Sequence, residues 1–337
     1  MAKVKLSFIS GMNERVRPLV DGTIEPEGIE LIPTLSDPSE TFWRQLKFEE
    51  FEISEMSLSS YLIAKSSGMD MIGIPVFPSR RFMQTQLSYH TDSEIKRPED
   101  LGGKRLGVGE YQQTAALWNR GILEHDFGVS QYSVHWYMER TEELSHGGAT
   151  GFQPPKGISF QRIPPDKSLA SMLVNHEIDV APVHRAFQKG KNIIDRSTRI
   201  RATTGDWSKI KLLFPDRIGE GTRFFQKHGY IPANHTYVIR GDINRKYPWV
   251  AFNLYKAFVK AKELAQDQLA ESIPSGLIFG PDYLAKSRKI FGDDPYPYGL
   301  KSNRKMLQTI IDYSYEQGLT PKRQPLEELF APSTLDL

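Results

Sequence analysis

The chain has 337 residues, more than one compact domain usually contains, which predicts two domains or one bilobed domain. Hydrophobic residues make up 39% and charged residues 25%, and a net charge of +2 shows no overall basic excess that would indicate nucleic-acid or anionic-membrane binding. The absence of cysteine excludes disulfides, thiol nucleophiles and thiolate metal sites.

The first part of the chain predicts alternating strands and helices. Residues 4–9 alternate apolar and polar side chains, as a half-buried strand does, and further strands are expected over 29–32 and 52–56. A helix over 39–47 separates the second of these strands from the third, and this alternation predicts an α/β fold with a mostly parallel sheet. The start of the chain has no long apolar run or cleavage site, so we expect a cytoplasmic protein without a membrane partner.

The stretch GVGEYQQTAALW, residues 107–118, predicts a strand end, a turn and a helix that ends at Gly128. A dinucleotide-binding turn has a glycine at the helix start, whereas this turn carries Glu110, whose carboxylate would repel phosphate. Trp118 is expected in the core. The free amides at the helix start are expected to bind a carboxylate or phenolate instead. The predicted binding residues of this turn are Tyr111, Gln112, Gln113 and Thr114.

A second segment, DKSLASMLVNHEIDVAPVHR, predicts a helix followed by a strand over 178–183. His176 is expected on the same helical face as Leu169, Met172 and Leu173. His184 and Arg185 follow the strand, at the end where open α/β sheets bind ligands. Residues 145–157 are rich in glycine and proline and predict a loop, and two later amphipathic stripes, over 250–261 and 306–311, predict core-facing helices.

Several segments together resemble the 4,5-dihydroxyphthalate decarboxylase family. They are NERVRPLVDGTIEPEGIEL, FEISEMSLSSYL, IPVFPSRRFM, LGGKRLGVGEYQQTAALWNRGILEHDFGV and YPYGLKSNRK. Chains of this family resemble the two-lobed, type II periplasmic-binding proteins, so the resemblance implies an α/β fold with a ligand cleft between two lobes. It implies a first lobe of residues 1–86 and 236–337 and a second lobe of residues 87–235. Crossing strands over 83–90 and 234–239 would join them.

The resemblance also implies a small aromatic carboxylate as substrate and the decarboxylation of a hydroxylated, phthalate-type acid. Adjacent carboxylates call for bidentate donors, and Arg80 and Arg81 are the best candidates, one of them rather than both, with a solvated surface pair as the alternative. Arg15 and Arg185, each just past a strand end, are similar cases. Ser57 and Ser59 are candidate hydrogen-bond donors to the substrate, with helix or turn capping as the equal alternative.

Loss of carbon dioxide from such a ring requires protonation of the carbon that bears the carboxylate. The candidate donors are His184, which we rank first, then Glu110 and His235, whose pKa must lie near the working pH. Each candidate also has a purely structural alternative. His184 would be a hydrogen-bonded histidine at a strand end, Glu110 a carboxylate at a helix start, and His235 a buried hinge residue.

Cofactor and partner expectations are mostly negative. The eight histidines show no HExxH pattern, so we expect neither a metal nor a cofactor. No basic stripe predicts nucleic-acid binding, and a homo-oligomer is left open. The alternative function is a non-catalytic binding protein or sensor for a small carboxylated aromatic, including a solute-binding role in an ABC transporter.

Overall fold

The structure, a computed structural model, describes residues 3–183 and 206–337, and within these ranges two β-sheets are surrounded by helices. The strands are β1 (Val4–Ser10), β2 (Ile29–Leu35), β3 (Ile53–Ser57), β4 (Met71–Ile74), β5 (Ser88–His90), β6 (Arg105–Val108), β7 (His135–Met138), β8 (Ser159–Arg162), β9 (Val180–Ala181), β10 (Ile210–Leu212) and β11 (His235–Arg240). The helices are α1 (Arg17–Val20), α2 (Pro38–Phe48), α3 (Leu58–Ser66), α4 (Thr114–Phe127), α5 (His146–Thr150), α6 (Leu169–Val174), α7 (Arg217–His228), α8 (Gly241–Lys246), α9 (Val250–Gly276), α10 (Gly280–Phe291), α11 (Arg304–Glu316) and α12 (Leu326–Leu329).

The first sheet has the order β2-β1-β3-β11-β4, with β1 parallel to β2 and β3, and β11 antiparallel to β3 and β4. The second has the order β10-β5-β9-β6-β7-β8, in which β9, β6, β7 and β8 run parallel. The chain therefore leaves the first sheet after β4 and returns to it at β11, after the described strands of the second sheet. The lobe boundaries at residues 86 and 236 stay a prediction.

The helix predicted from residues 107–118 is α4, and its end at Gly128 is confirmed. Gly128 has a φ of +70°, a left-handed conformation that glycine adopts without steric cost. Trp118 is completely buried, as predicted, and its ring packs edge-on against Tyr313 of α11, with 5.7 Å between the ring centroids. A Cβ atom on Gly121 of α4 would overlap the ring of Tyr313, so this glycine permits the close approach of α4 to α11.

Several sequence expectations are wrong in detail. Residues 83–86 of the expected crossing strand form a 3₁₀ helix, and only 88–90 form a strand. The strand expected over 178–183 is limited to β9. His176 is not on a helical face, because α6 ends at Val174 and His176 has a φ of +56°. The loop over 145–157 contains the short helix α5.

The predicted lobes share one hydrophobic core. The largest cluster of buried apolar side chains joins α3 and α11, from predicted lobe one, to α4 and the strands β6 and β7 of the second sheet. Helix α4 contacts both α3 and α11 directly. None of the helices in the described ranges has the length and apolarity needed to cross a bilayer.

Candidate functional site

A cavity of about 660 Å³ lies between α7, the end of α10 and the segment over residues 80–86. Its size is within the usual range for small-molecule sites. In the predicted division of the chain α7 belongs to lobe two and α10 to lobe one, so the cavity lies between the two. Three cationic and three aromatic side chains line it, namely Arg80, Arg81, Arg217, Phe82, Phe291 and Tyr296. Aromatic walls with guanidinium groups suit a planar ring that carries carboxylates.

The two adjacent arginines differ in what they contact. Arg80 is buried and donates hydrogen bonds to the carbonyl oxygens of Ile231, at 2.9 Å, and Pro297, at 2.7 Å, and to the side-chain oxygen of Asn303. Burial lowers the pKa of Arg80 to about 10. Arg81 is exposed, and its guanidinium has no hydrogen-bond or ion-pair partner among the described residues. Arg81 is therefore the arginine of the pair that is available to a ligand.

Arg15 lies next to this cavity. It follows β1, and its Nη2 donates to the carbonyl oxygen of Pro78 at 2.5 Å. Its guanidinium stacks on Tyr296, with 3.9 Å from Cζ to the ring centroid, and Tyr296 lines the cavity. The Nε of Arg15 is buried without a hydrogen-bond partner in the described part of the chain. Arg15 thus adds positive charge behind the aromatic wall.

A buried carboxylate–histidine pair stands where β3 and β11 meet. His235 pairs with Ser57 across the two strands, and its Nδ1 lies 2.6 Å from Glu55 Oε1. The other oxygen of Glu55 accepts a hydrogen bond from the backbone amide of Gly11 at 2.8 Å. Burial opposes the ionisation of Glu55, but the hydrogen bond and charge of His235 outweigh it and lower the pKa of Glu55. An ionised carboxylate that orients one ring nitrogen is the usual support for a histidine that transfers protons.

This pair is joined to the arginine segment by a short backbone ladder. The Arg81 amide donates to the carbonyl of Pro232 at 3.1 Å, and the Asn234 amide donates to the carbonyl of Ser79 at 2.7 Å. The side chain of Asn234 in turn contacts His235, with 2.9 Å between Nδ2 and Nε2. The backbone at Arg81 is therefore hydrogen-bonded to the segment that leads into His235.

The starts of α3 and α4 contact each other. The Ser57 Oγ and Thr114 Oγ1 atoms are 2.9 Å apart, and Thr114 Oγ1 accepts a hydrogen bond from the Ser59 amide at 3.0 Å. The hydroxyl of Ser59 is buried and has no hydrogen-bond partner among the described residues. Ser57 and Thr114 thus hold the two helix starts together, and Ser59 has free hydrogen-bonding capacity beside them.

Glu110 is fully buried and saturated with donors. Its carboxylate accepts hydrogen bonds from Arg140 Nη1 at 2.5 Å, Ser145 Oγ at 2.6 Å and the Gly147 amide at 2.8 Å. Burial opposes ionisation, but the charges of His146 and Arg140 outweigh it and lower the pKa of Glu110. An ionised carboxylate has no proton to donate, so this geometry favours a role for Glu110 in fixing the segment over residues 140–147.

The other residues of the turn point in different directions. Tyr111 is buried beneath the guanidinium of Arg120, 3.8 Å from Cζ to the ring centroid, and its hydroxyl donates to Gln131. Gln112 is buried and lines a second cavity, of about 280 Å³, which it shares with Glu110. Gln113 lines a much smaller cavity beside β6. The structure therefore separates the turn from the arginines, which line a different cavity.

Two predicted residues, His184 and Arg185, lie outside the described residues. Sequence reasoning missed two other residues of the site, Glu55 and Arg217. Glu55 was detectable as an acidic residue within the strand over 53–57, although its partner is remote in sequence. Arg217 carries no motif, and only the fold brings it to the cavity with Arg81.

No protein-family model matches the chain. It is 31% identical to the 4,5-dihydroxyphthalate decarboxylase of Comamonas testosteroni. The alignment runs over 339 residues and covers 100% of this chain and 99% of that protein. It is 37% identical over 187 residues to the 4,5-dihydroxyphthalate decarboxylase of Pseudomonas putida, over 55% of this chain and 72% of that protein. Among solved structures, the periplasmic aliphatic sulphonate binding protein SsuA from Escherichia coli matches with a TM-score of 0.56 at 13% identity, and both chains are covered completely. This likeness confirms the predicted periplasmic-binding-protein-like α/β fold.

Proposed function

The chain belongs to the 4,5-dihydroxyphthalate decarboxylase family, and on that premise we propose that it removes one carboxylate, as carbon dioxide, from a hydroxylated phthalate-type acid. Similarity to the Comamonas testosteroni enzyme over the full length of both chains carries this proposal. A carboxy-lyase acting on 4,5-dihydroxyphthalate would produce 3,4-dihydroxybenzoate and carbon dioxide.

The cavity beside Arg81 is the proposed substrate site. Its free guanidinium can hold the carboxylate that remains on the product through two parallel hydrogen bonds. Phe82 and Phe291, whose ring centroids are 5.8 Å apart, offer apolar contact to the substrate ring. Arg217 on α7 can pair with a second carboxylate of the substrate, although the adjacent Asp216, which also lines the cavity, offsets part of its charge.

The proposed reaction consumes one proton for each carbon dioxide released. The proton is added to the ring carbon that bears the departing carboxylate, and a ring hydroxyl para to that carbon stabilises the resulting intermediate. The carbon–carboxylate bond then breaks, its electron pair restores the aromatic ring, and the carboxylate leaves as carbon dioxide. Atoms and charge balance without an oxidant or a reductant.

Among the described candidates His235 is best suited to deliver this proton, although it does not line the cavity, so a substrate held by Arg81 must reach towards it. With Nδ1 donating to Glu55, protonation of the ring places the second proton on Nε2. Asn234 faces that nitrogen, and its Oδ1 has no hydrogen-bond partner among the described residues, so rotation of the amide can accommodate either protonation state. His184 remains the competing donor because the sequence places it at a strand end.

The test is a carbon dioxide release assay on the purified protein. We expect carbon dioxide and 3,4-dihydroxybenzoate from 4,5-dihydroxyphthalate, with one proton taken up per turnover. Phthalate, which lacks the ring hydroxyls, is the matched control and should bind without reacting. Binding of hydroxylated benzene carboxylates without release of carbon dioxide from any of them would support the binding-protein or sensor function instead.

A further inference from the structure

Two histidines and an aspartate meet beside the second sheet, and none of them lines the cavities described above. His90 ends β5, Asp92 follows it, and His176 lies in the turn between α6 and β9. One ring nitrogen of each histidine and one carboxylate oxygen of Asp92 all lie within 4.8 Å of one another. The two rings are stacked, with centroids 4.3 Å apart and planes inclined by 9°.

The backbone at His176 is unusual for a residue with a side chain. Its φ of +56° is in the left-handed region, which glycine adopts without steric cost and other residues occupy uncommonly. Histidine is among the non-glycine residues that adopt this conformation most often, so the turn permits an imidazole here without requiring one. Residues held in such conformations are concentrated at functional sites.

The surroundings hold the ring of His176 in place. His176 Nε2 lies 3.1 Å from Asp179 Oδ1, and Arg105 fixes that carboxylate through Nη2 at 2.8 Å. Metal-bound histidines usually donate their second ring N–H to such a carboxylate, which leaves the other nitrogen for the metal.

We propose that His90, Asp92 and His176 form a binding site for a zinc ion, with a water molecule as the fourth ligand. Two imidazoles and one carboxylate are a ligand set that zinc accepts in tetrahedral geometry. Zinc-to-ligand distances of about 2.1 Å place the ligand atoms about 3.4 Å apart, so the stacked rings must turn inward on binding.

Two consequences follow from the positions of these ligands. Asp92 forms an ion pair with Lys209, 2.7 Å away, and zinc must displace that ammonium group. The ion would connect the end of β5 to the turn before β9, and would thereby stabilise the second sheet. This site is independent of the proposed decarboxylation, because none of its residues touches the candidate active site.

The test is calorimetric titration of the full chain with zinc chloride after treatment with a chelator. We expect one zinc ion per chain, and cobalt substitution should give the visible absorption of a tetrahedral site. His176→Asn removes the imidazole but keeps a residue that tolerates the left-handed conformation, and Asp92→Asn removes the carboxylate charge. Each should weaken zinc binding at least about 10-fold.

The matched control is His135→Gln, since His135 is an exposed histidine on β7 outside the cluster. It should bind zinc as the unchanged protein does. Absence of zinc binding by the unchanged protein would overturn the proposal, as would equal affinity in His176→Asn or an equal loss in His135→Gln. Circular dichroism of each variant separates loss of a ligand from loss of the fold.

Discussion

We expect two single substitutions by methionine to separate stability from binding. Arg80→Met should mainly lower stability, and Arg81→Met should mainly weaken ligand binding. Arg80→Met leaves the carbonyls of Ile231 and Pro297 and the amide oxygen of Asn303 without their donor. At about 1 kcal/mol for each lost hydrogen bond, the free energy of unfolding should fall by about 3 kcal/mol. Arg81→Met loses no described protein partner, so its free energy of unfolding should stay within about 0.5 kcal/mol of the unchanged protein.

Ligand binding, in contrast to stability, should depend on Arg81. If Arg81 binds a substrate carboxylate, the loss of a charged hydrogen bond costs about 1.5–3 kcal/mol, or roughly a 10- to 150-fold weaker Kd. Urea unfolding gives the stability of each variant, and calorimetry with phthalate, the unreactive analogue, gives the affinity. Arg81→Lys keeps the positive charge without the planar guanidinium, so its affinity for phthalate should lie between those of the unchanged protein and Arg81→Met. Unchanged affinity in Arg81→Met would refute the assignment of this cavity as the carboxylate site.

Three further outcomes are expected. Gly121→Ala should lower the free energy of unfolding by about 1–2 kcal/mol in thermal denaturation, because overlap with Tyr313 exceeds the gain in helix propensity. His235→Gln should lower kcat by on the order of 100-fold with little change in phthalate affinity. Normal turnover in this variant would assign the role of proton donor to His184. The pKa of Glu110 is lowered by folding, so its stabilisation is complete above the unfolded value of 4.5 and is lost as the pH falls below it. Acid titration of Glu110→Gln should therefore show a smaller loss of stability over that range than the unchanged protein.

The features that sequence predicted best depend on local chemistry. The end of α4 at Gly128 follows from glycine's access to left-handed backbone, and the burial of Trp118 follows from apolar spacing. The distinction between Arg80 and Arg81 could not be predicted, because it depends on acceptors more than 150 residues away in the chain. The pairing of Glu55 with His235 is similar, since the strand register that joins them spans 180 residues.

The core shared by α4 and α11 bears on how a ligand reaches the cavity. If the predicted lobes swung apart at this contact, Trp118 and Tyr313 would be exposed, and hydrating two such aromatic side chains costs on the order of 5–10 kcal/mol. An open form would then be populated in fewer than about one molecule in a thousand. A transport receptor signals its loaded state by closing, so a chain that this contact kept closed when empty would have no such signal to give. The affinity of such a chain for its ligand would not be reduced by a closure step, so contacts in the cavity could act in full on the transition state.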